Sequence, residues 1–168
     1  MLKKIYVYIA QKILILLPLY SFPKLNTFIF RSMGYKISKN ARIFSSAKIF
    51  GNFNLEIGDN TFIGNESVIT GGDSFIKIGS NCDISDRVSI FSGSHEIGVK
   101  GNRRAGKGIS KDIKIGKNVW IGYGSLILPG VTIEDDSIVA AGSVVIKDVK
   151  SNTIVGGNPA KIIKVLDD

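Results

Sequence analysis

The sequence predicts an all-β protein: a parallel β-helix, in which short strands wind into a triangular coil, with a helical segment in front and a short tail behind. Three observations predict it. An aliphatic residue returns at every sixth position over long stretches of the chain. A smaller or branched residue recurs four places after it. Composition agrees, with 19 glycines, abundant isoleucine and only 4 prolines, a profile of strands and turns rather than of a helical bundle.

The clearest run is Ile115, Ile121, Ile127, Ile133, Val139 and Val145, with Val119, Ser125, Val131, Ser137, Ser143 and Val149 in the second slot. Earlier runs are Ile37, Ile43 and Ile49, then Ile57, Ile63 and Ile69, then Ile78, Ile84 and Ile90. A helix would space its apolar residues near 3.6, and a plain strand alternates at two. Six is a multiple of two, so each aliphatic residue points to the same side of an extended chain, and the intervening glycine and polar residues supply a turn. Three such units close a coil of eighteen residues, which stacks Ile115 on Ile133 and Ile121 on Val139.

The phase slips between Ile49 and Ile57, between Ile69 and Ile78, and most of all between Ile90 and Ile115. The last gap is glycine-rich and basic with little hydrophobic pattern. It reads as an extruded loop at about 91–114, the kind of insertion that carries function. The expected organisation is a helical segment over 1–36, the coil over 37–154 and a tail over 155–168.

A length of 168 residues suits one domain with a real core. The formal charge of +8 points to anionic partners without choosing among phosphates, acidic lipids and nucleic acid. A single cysteine, Cys82, excludes an intramolecular disulfide framework and suits a reducing compartment such as the cytoplasm. Cys82 occupies the smaller-residue slot and reads as core filler. Near the start, Lys3 and Lys4 precede an apolar run from Ile5 to Leu19, interrupted by Gln11, Lys12 and Pro18. No small-residue cleavage site follows, and the run is short and broken for a bilayer span. It reads as a helix with a narrow polar stripe through Lys4 and Gln11. Two placements stay open. The helix packs on the coil or on a neighbouring subunit, or it lies on a membrane surface, aided by Lys3, Lys4 and Lys12.

His95 is the one histidine, and it stands where the extruded loop begins. Imidazole titrates near neutral pH, so it can take a proton from an attacking hydroxyl. A carboxylate neighbour or a backbone carbonyl could hold the other ring nitrogen and fix the tautomer. Glu96 follows directly, and Asp83 and Asp86 lie upstream, where they also read as turn residues of the coil.

The run from Ile57 to Lys164 resembles the hexapeptide-repeat acyltransferases, and within them the maltose, galactoside and colanic-acid O-acetyltransferase branch. The residues that carry the likeness are Ser-Gly-Ser-His-Glu from Ser92, the stretch from Ile113 through Trp120-Ile-Gly-Tyr-Gly-Ser to Ile133, Val139 to Val149, and Val-Gly-Gly-Asn-Pro-Ala-Lys-Ile-Ile from Val155. The segment before about Lys36 is not covered well. The general rule for parallel crossovers is right-handed, so the left hand expected here is implied by the resemblance. The resemblance further implies a homotrimer with its active site between two subunits, acetyl-CoA as co-substrate, no metal, and His95 as general base for direct attack without a covalent acyl-enzyme. Glu96 is the implied acidic companion. Backbone N–H groups near Tyr123 and Gly124 match the family's oxyanion position. Trp120 matches an aromatic that lines the site, or serves as a surface or interface residue. Ala141, Ile146 and Lys147 match coenzyme-contacting positions, and Asn158, Pro159, Ala160 and Lys161 the end segment near the nucleotide. Lys147 and Lys161 can meet phosphates as point charges, or are ordinary solvated lysines. Asn65, Ser67 and Asp73 fall near where the family holds its sugar.

The reaction thus expected is acetyl transfer from acetyl-CoA to a hydroxyl of a surface-polysaccharide sugar or its lipid-linked precursor. The enzyme would be cytoplasmic or peripheral at the inner membrane face, with nucleic acid not among its partners. Transfer to the amine of a nucleotide-linked amino sugar, or to a small molecule such as an antibiotic, would use the same base. A catalytically silent trimeric coil is the reading from a different class. The γ-class carbonic anhydrases share the fold but need three histidines for their metal. A nucleotidyltransferase or a serine acetyltransferase would carry a large domain in front of the coil.

Overall fold

The computed structural model describes residues 2–18 and 22–167, with side chains from Ile5 onward. The expectations for Lys3, Lys4 and Leu19 lie outside the described side chains. Two helices lead, α1 (Leu2–Leu16) and α2 (Pro23–Ser32), where the sequence suggested one. The strands that follow wind into three flat faces. Face A carries Lys36–Ile37, Asn54–Ile57, Phe75–Ile78, Ile113–Ile115 and Thr132–Ile133. Face B carries Arg42–Ile43, Phe62–Ile63, Asp83–Ile84, Trp120–Ile121, Ile138–Val139 and Thr153–Gly156. Face C carries Lys48–Gly51, Val68–Gly71, Ser89–Phe91, Leu126–Ile127 and Val144–Val145. The chain runs A to B to C and back to A, and neighbours within a face pair in parallel. The fold is the left-handed parallel β-helix.

The register is the one the period requires. Ile115 pairs with Ile133, Ile121 with Val139, and Ile127 with Val145. The aliphatic ladders are buried, and so is Cys82, whose thiol donates to the Gly116 carbonyl. Burial pushes that thiol's pKa up. Hydroxyls in the second slot are satisfied between coils: Thr61 donates to the Gly79 carbonyl, Ser67 to Ser85, Ser125 to Ala140 and Ser137 to Lys150. At the A-to-B corner the left-handed backbone position falls on Asn60, Asn81, Asn118, Asp136 and Asn152, residue types that tolerate it. Asn60, Asn81, Asn118 and Asp136 hydrogen-bond to one another from coil to coil.

All three phase slips fall at one corner, C to A. Ile37 to Ile57, Ile57 to Ile78 and Ile78 to Ile115 span 20, 21 and 37 residues, where Ile115 to Ile133 spans 18. The largest insertion, expected as an extruded loop at about 91–114, has regular structure. Gly93–Ile97 and Ala105–Ser110 pair as an antiparallel hairpin. Its strands are glycine-rich and exposed, so no alternating apolar pattern marks them. The segment expected as a tail also differs. Thr153–Gly156 extends face B, and Lys161–Val165 folds back antiparallel upon it. At the other end the helices close the first coil. Thr27 donates to the Ala41 carbonyl at 2.8 Å, Gln11 to that of Ile49, and Ala10, Leu14, Phe30 and Met33 are buried against the prism. These donors satisfy carbonyls that the open edge of the coil would leave unpaired.

Candidate active site

His95 stands on the first strand of the hairpin, and the prism anchors that strand. Ile90 is fully buried just before it. Ser92, also fully buried, takes the Lys111 N–H on its carbonyl at 2.9 Å and meets the Ser74 hydroxyl at 2.7 Å. The two strands therefore leave the prism at a fixed point. His95 faces Gly108 across the ladder, and its Nδ1 lies 3.0 Å from the Gly106 carbonyl oxygen. A carbonyl only accepts, so Nδ1 carries the proton and Nε2 is left with its lone pair. Such an imidazole can act as a base.

A cavity of about 530 Å³ opens beside the ring, lined by Gly72, Asp73, Gly93, Ser94, His95, Gly108, Ile109 and Ser110. Around the imidazole the hairpin is bare. Gly93 shares its face of the strand, and Gly108 is its cross-strand partner. A β-carbon at Gly108 would meet nothing within 4 Å, and its backbone is not left-handed. Neither conformation nor protein packing accounts for glycine there. Of the three residues expected near the sugar, Asp73 alone lies in this cavity.

The other expected residues divide between two corners. Ile146 and Lys147 follow the last strand of face C, on the same corner as His95 but two coils further along. Tyr123, Gly124, Ala141 and Asn158–Lys161 lie at or beyond the B-to-C corner. Trp120 projects half-exposed from face B, its Nε1–H donating to the Ser85 hydroxyl at 3.3 Å. Face B is the face that the His95 corner does not border. Within one chain the two groups are therefore separated by the full width of face C.

The B-to-C corner changes character along the stack. In early coils its left-handed positions are held by Glu66 and Arg87, which pair at 2.6 Å, and Arg87 also donates to the Tyr123 hydroxyl at 3.0 Å. These contacts push the guanidinium pKa further up. In later coils Gly124 and Gly142 take the same position, and a β-carbon on either would meet nothing within 4 Å. With exposed Ala141 beside them, they leave a bare wall that an extended acyl carrier could follow closely. Lys147 and Lys161 are exposed, as phosphate contacts require.

Several expectations need correction. The group that holds His95 is the Gly106 carbonyl. The Glu96 carboxylate makes no hydrogen bond or ion pair among the described residues, and Asp83 and Asp86 belong to face B and its far corner. Ser67 is buried, and its hydroxyl accepts from Val88 and donates to Ser85, so no sugar reaches it. Asn65 lies at the B-to-C corner with its side chain accepting from Ser46. The Gly124 N–H donates to the Asp86 carbonyl at 3.0 Å, which leaves the Tyr123 N–H as the donor of that pair with no partner among the described residues. Sequence reasoning missed Gly106 and Gly108. Their alternation around Lys107 was visible, but only the ladder register shows that they face the histidine. Among the described residues no group of His, Cys, Asp or Glu could hold a metal ion.

Two family patterns match this chain: Bacterial transferase hexapeptide (six repeats) over residues 112–147, and Hexapeptide repeat of succinyl-transferase over 55–86. The chain is 33% identical over 141 residues to an Escherichia coli (strain K12) protein named "Putative colanic acid biosynthesis acetyltransferase WcaF", covering 82% of this chain and 72% of that one. It is 37% identical to the galactoside O-acetyltransferase of the same organism, over 68% of this chain and 56% of that one. It spans between 45% and 58% of the length of the first curated relatives it matches. A hexapeptide-repeat acetyltransferase from Vibrio cholerae, solved with acetyl coenzyme A, superposes with a TM-score of 0.63 at 26% identity, covering 99% of this chain and 88% of that one.

Proposed function

Because the chain belongs to the hexapeptide-repeat transferase family, we propose that it is an acetyl-CoA-dependent O-acetyltransferase. It acts on a sugar hydroxyl of a surface polysaccharide or its precursor, as a homotrimer with each site shared by two subunits. The observation that carries the reading is the His95 tautomer: Nδ1–H held by a main-chain carbonyl, Nε2 basic, on a hairpin anchored in the core. Nε2 takes the proton of the acceptor hydroxyl as that oxygen attacks the thioester carbonyl. The oxygen of the tetrahedral adduct is received by the Tyr123 N–H of the neighbouring subunit. Collapse of the adduct expels the coenzyme thiolate, which recovers the proton from the imidazolium, so no acyl-enzyme is formed.

The division of the expected residues supports a shared site. Most of the expected coenzyme set (Tyr123, Gly124, Ala141 and Asn158–Lys161) lies across face C from the base, while Ile146 and Lys147 lie on the base's own border two coils along, and a ring of copies joins the His95 border of one to the Tyr123 border of the next. The outward residues of face C suit that contact. Val68, Leu126 and Val144 form one column with Lys48 and Ser89, and Phe50, Thr70 and Phe91 form a second. Face A instead presents Lys36, Glu56, Lys77, Lys114 and Thr132. The hairpin tip adds Ile97, 90% exposed, and Val99, an apolar contact for the neighbour. A sugar acceptor fits the names of the relatives and the bare, polar-rimmed cavity beside His95.

The test is release of coenzyme thiol from acetyl-CoA with a panel of neutral sugars, acidic sugars and amino sugars, with products read by mass. Turnover with a hydroxyl acceptor that falls to background in His95→Ala supports the reading. Acetylation of amines alone would move the reaction to N-transfer. Equal turnover in His95→Ala would remove His95 as the base.

A further inference from the structure

The net positive charge of this protein is confined to one end. The first 55 residues hold nine Lys and Arg (Lys3, Lys4, Lys12, Lys24, Arg31, Lys36, Lys39, Arg42 and Lys48) and no Asp or Glu. The remaining residues hold thirteen Lys and Arg against fourteen Asp and Glu, so the whole excess of +8 comes from the helices and the first coil. Of these cations, among the described residues, Lys36 alone has a carboxylate partner.

The helices at that end carry apolar residues on both sides. Facing the prism are Ala10, Leu14, Phe30 and Met33 together with Gln11, Asn26 and Thr27, of which Gln11 and Thr27 donate to coil carbonyls. A second apolar set faces outward. Ile5, Tyr8, Ile9, Ile13 and Leu16 form one exposed stripe of α1, with Leu16 83% exposed, and Lys12 lies within the stripe over the Tyr8 ring. On α2 the exposed side carries Lys24, Leu25, Phe28 and Arg31. A helix whose outer side met only water would carry polar residues there. Aliphatic and aromatic residues interspersed with lysine and arginine suit an interfacial helix, whose apolar side enters the acyl boundary while the cations reach the headgroups. Neither helix is long and apolar enough to cross a membrane.

We infer that the α1–α2 end docks on an anionic lipid surface, and that charge complementarity selects this occupant over a second copy of the chain. The inference stands apart from the acceptor's identity, since none of these residues lies in the candidate site.

The experiment uses the full chain in flotation with vesicles of phosphatidylcholine alone and with about 30% phosphatidylglycerol, a content that gives a strongly negative surface. The protein should float with the anionic vesicles, stay behind with the neutral ones, and be released at about 0.5 M salt, where screening is short-ranged. Lys12→Glu/Lys24→Glu should weaken partition about tenfold or more, and Ile9→Ser/Phe28→Ser should also abolish flotation. All four positions are exposed, so the circular-dichroism spectrum should not change, and thiol release with a water-soluble acceptor should stay within about twofold of the parent. Three results would overturn the inference: equal partition to neutral and anionic vesicles, no flotation at all, or a smaller oligomer in Ile9→Ser/Phe28→Ser. The last would show that a second copy covers the face.

Discussion

Two defective chains should restore each other. Consider His95→Ala, which removes the base on the C-to-A border, and Ala141→Trp, which fills the bare wall on the B-to-C border with an indole. Ala141 is exposed, so the larger side chain has solvent to occupy and the coil should fold. Each variant alone should turn over at background. In trimers assembled at random from equal amounts, a site works when its His95 border comes from the Ala141→Trp chain and its other border from the His95→Ala chain. Each condition holds for half the chains, so about one quarter of sites should be intact. Co-expression under two affinity tags and isolation of the doubly tagged species remove the unmixed trimers, and each mixed trimer then holds one intact site of its three, so thiol-release kinetics should give a kcat of about a third of the parent's with an unchanged KM. Background activity in a verified mixed trimer would mean that each site is complete within one chain, and the assignment of Tyr123 and Ala141 to the neighbour would fall.

Gly108→Ala should move stability and activity in opposite directions: a strand glycine replaced by alanine gains about 0.5–1 kcal/mol, while the new methyl beside His95 lowers acceptor kcat/KM about tenfold or more. Unchanged acceptor kinetics would show that the bare surface holds no ligand. Cys82 should be inert to a thiol-specific chromogenic disulfide in the folded protein and react once in denaturant, because burial raises its pKa. Ile127→Ala empties one rung of a fully buried ladder and should cost about 2–5 kcal/mol, read as a drop in Tm. Glu134 is held below the usual carboxylate range, first by the Lys150 ammonium and then by the Ser151 N–H. Its folded pKa is depressed, so its contribution is full above the ordinary carboxylate range and fades as pH falls through the lowered value. The Tm difference between parent and Glu134→Gln should be level near neutrality and close in acid, and a difference that widens in acid would contradict the pairing.

The prism was legible because its cause is local. Each of Ile115, Ile121 and Ile127 repeats one instruction, and the register of the later coils follows from counting. The histidine was legible by its position at a break in the period. What escaped was whatever depends on two segments meeting. The Gly106 carbonyl carries no side-chain label, and only the ladder between the hairpin strands brings it to His95. Ser67 looked available as a polar residue near a slip, yet its slot points inward in every coil, as Ser125 and Ser143 show. The two helices were half legible: the apolar run was plain, but Gln11 turned out to face inward among Ala10, Leu14 and Phe30, because the coil end offers carbonyls to be satisfied as well as an apolar surface.

A stack of like rungs has no internal stop, since the last rung offers the next the same row of main-chain groups that it received. In face B the reversal at Lys161–Val165 supplies the stop: a strand running the wrong way cannot template another coil. Chains cut back to about residue 157 would leave Ile154 and Val155 as a naked edge. His95 and its hairpin would be untouched, and the molecules would be prone to join end to end into fibres, so the reversed strand guards solubility.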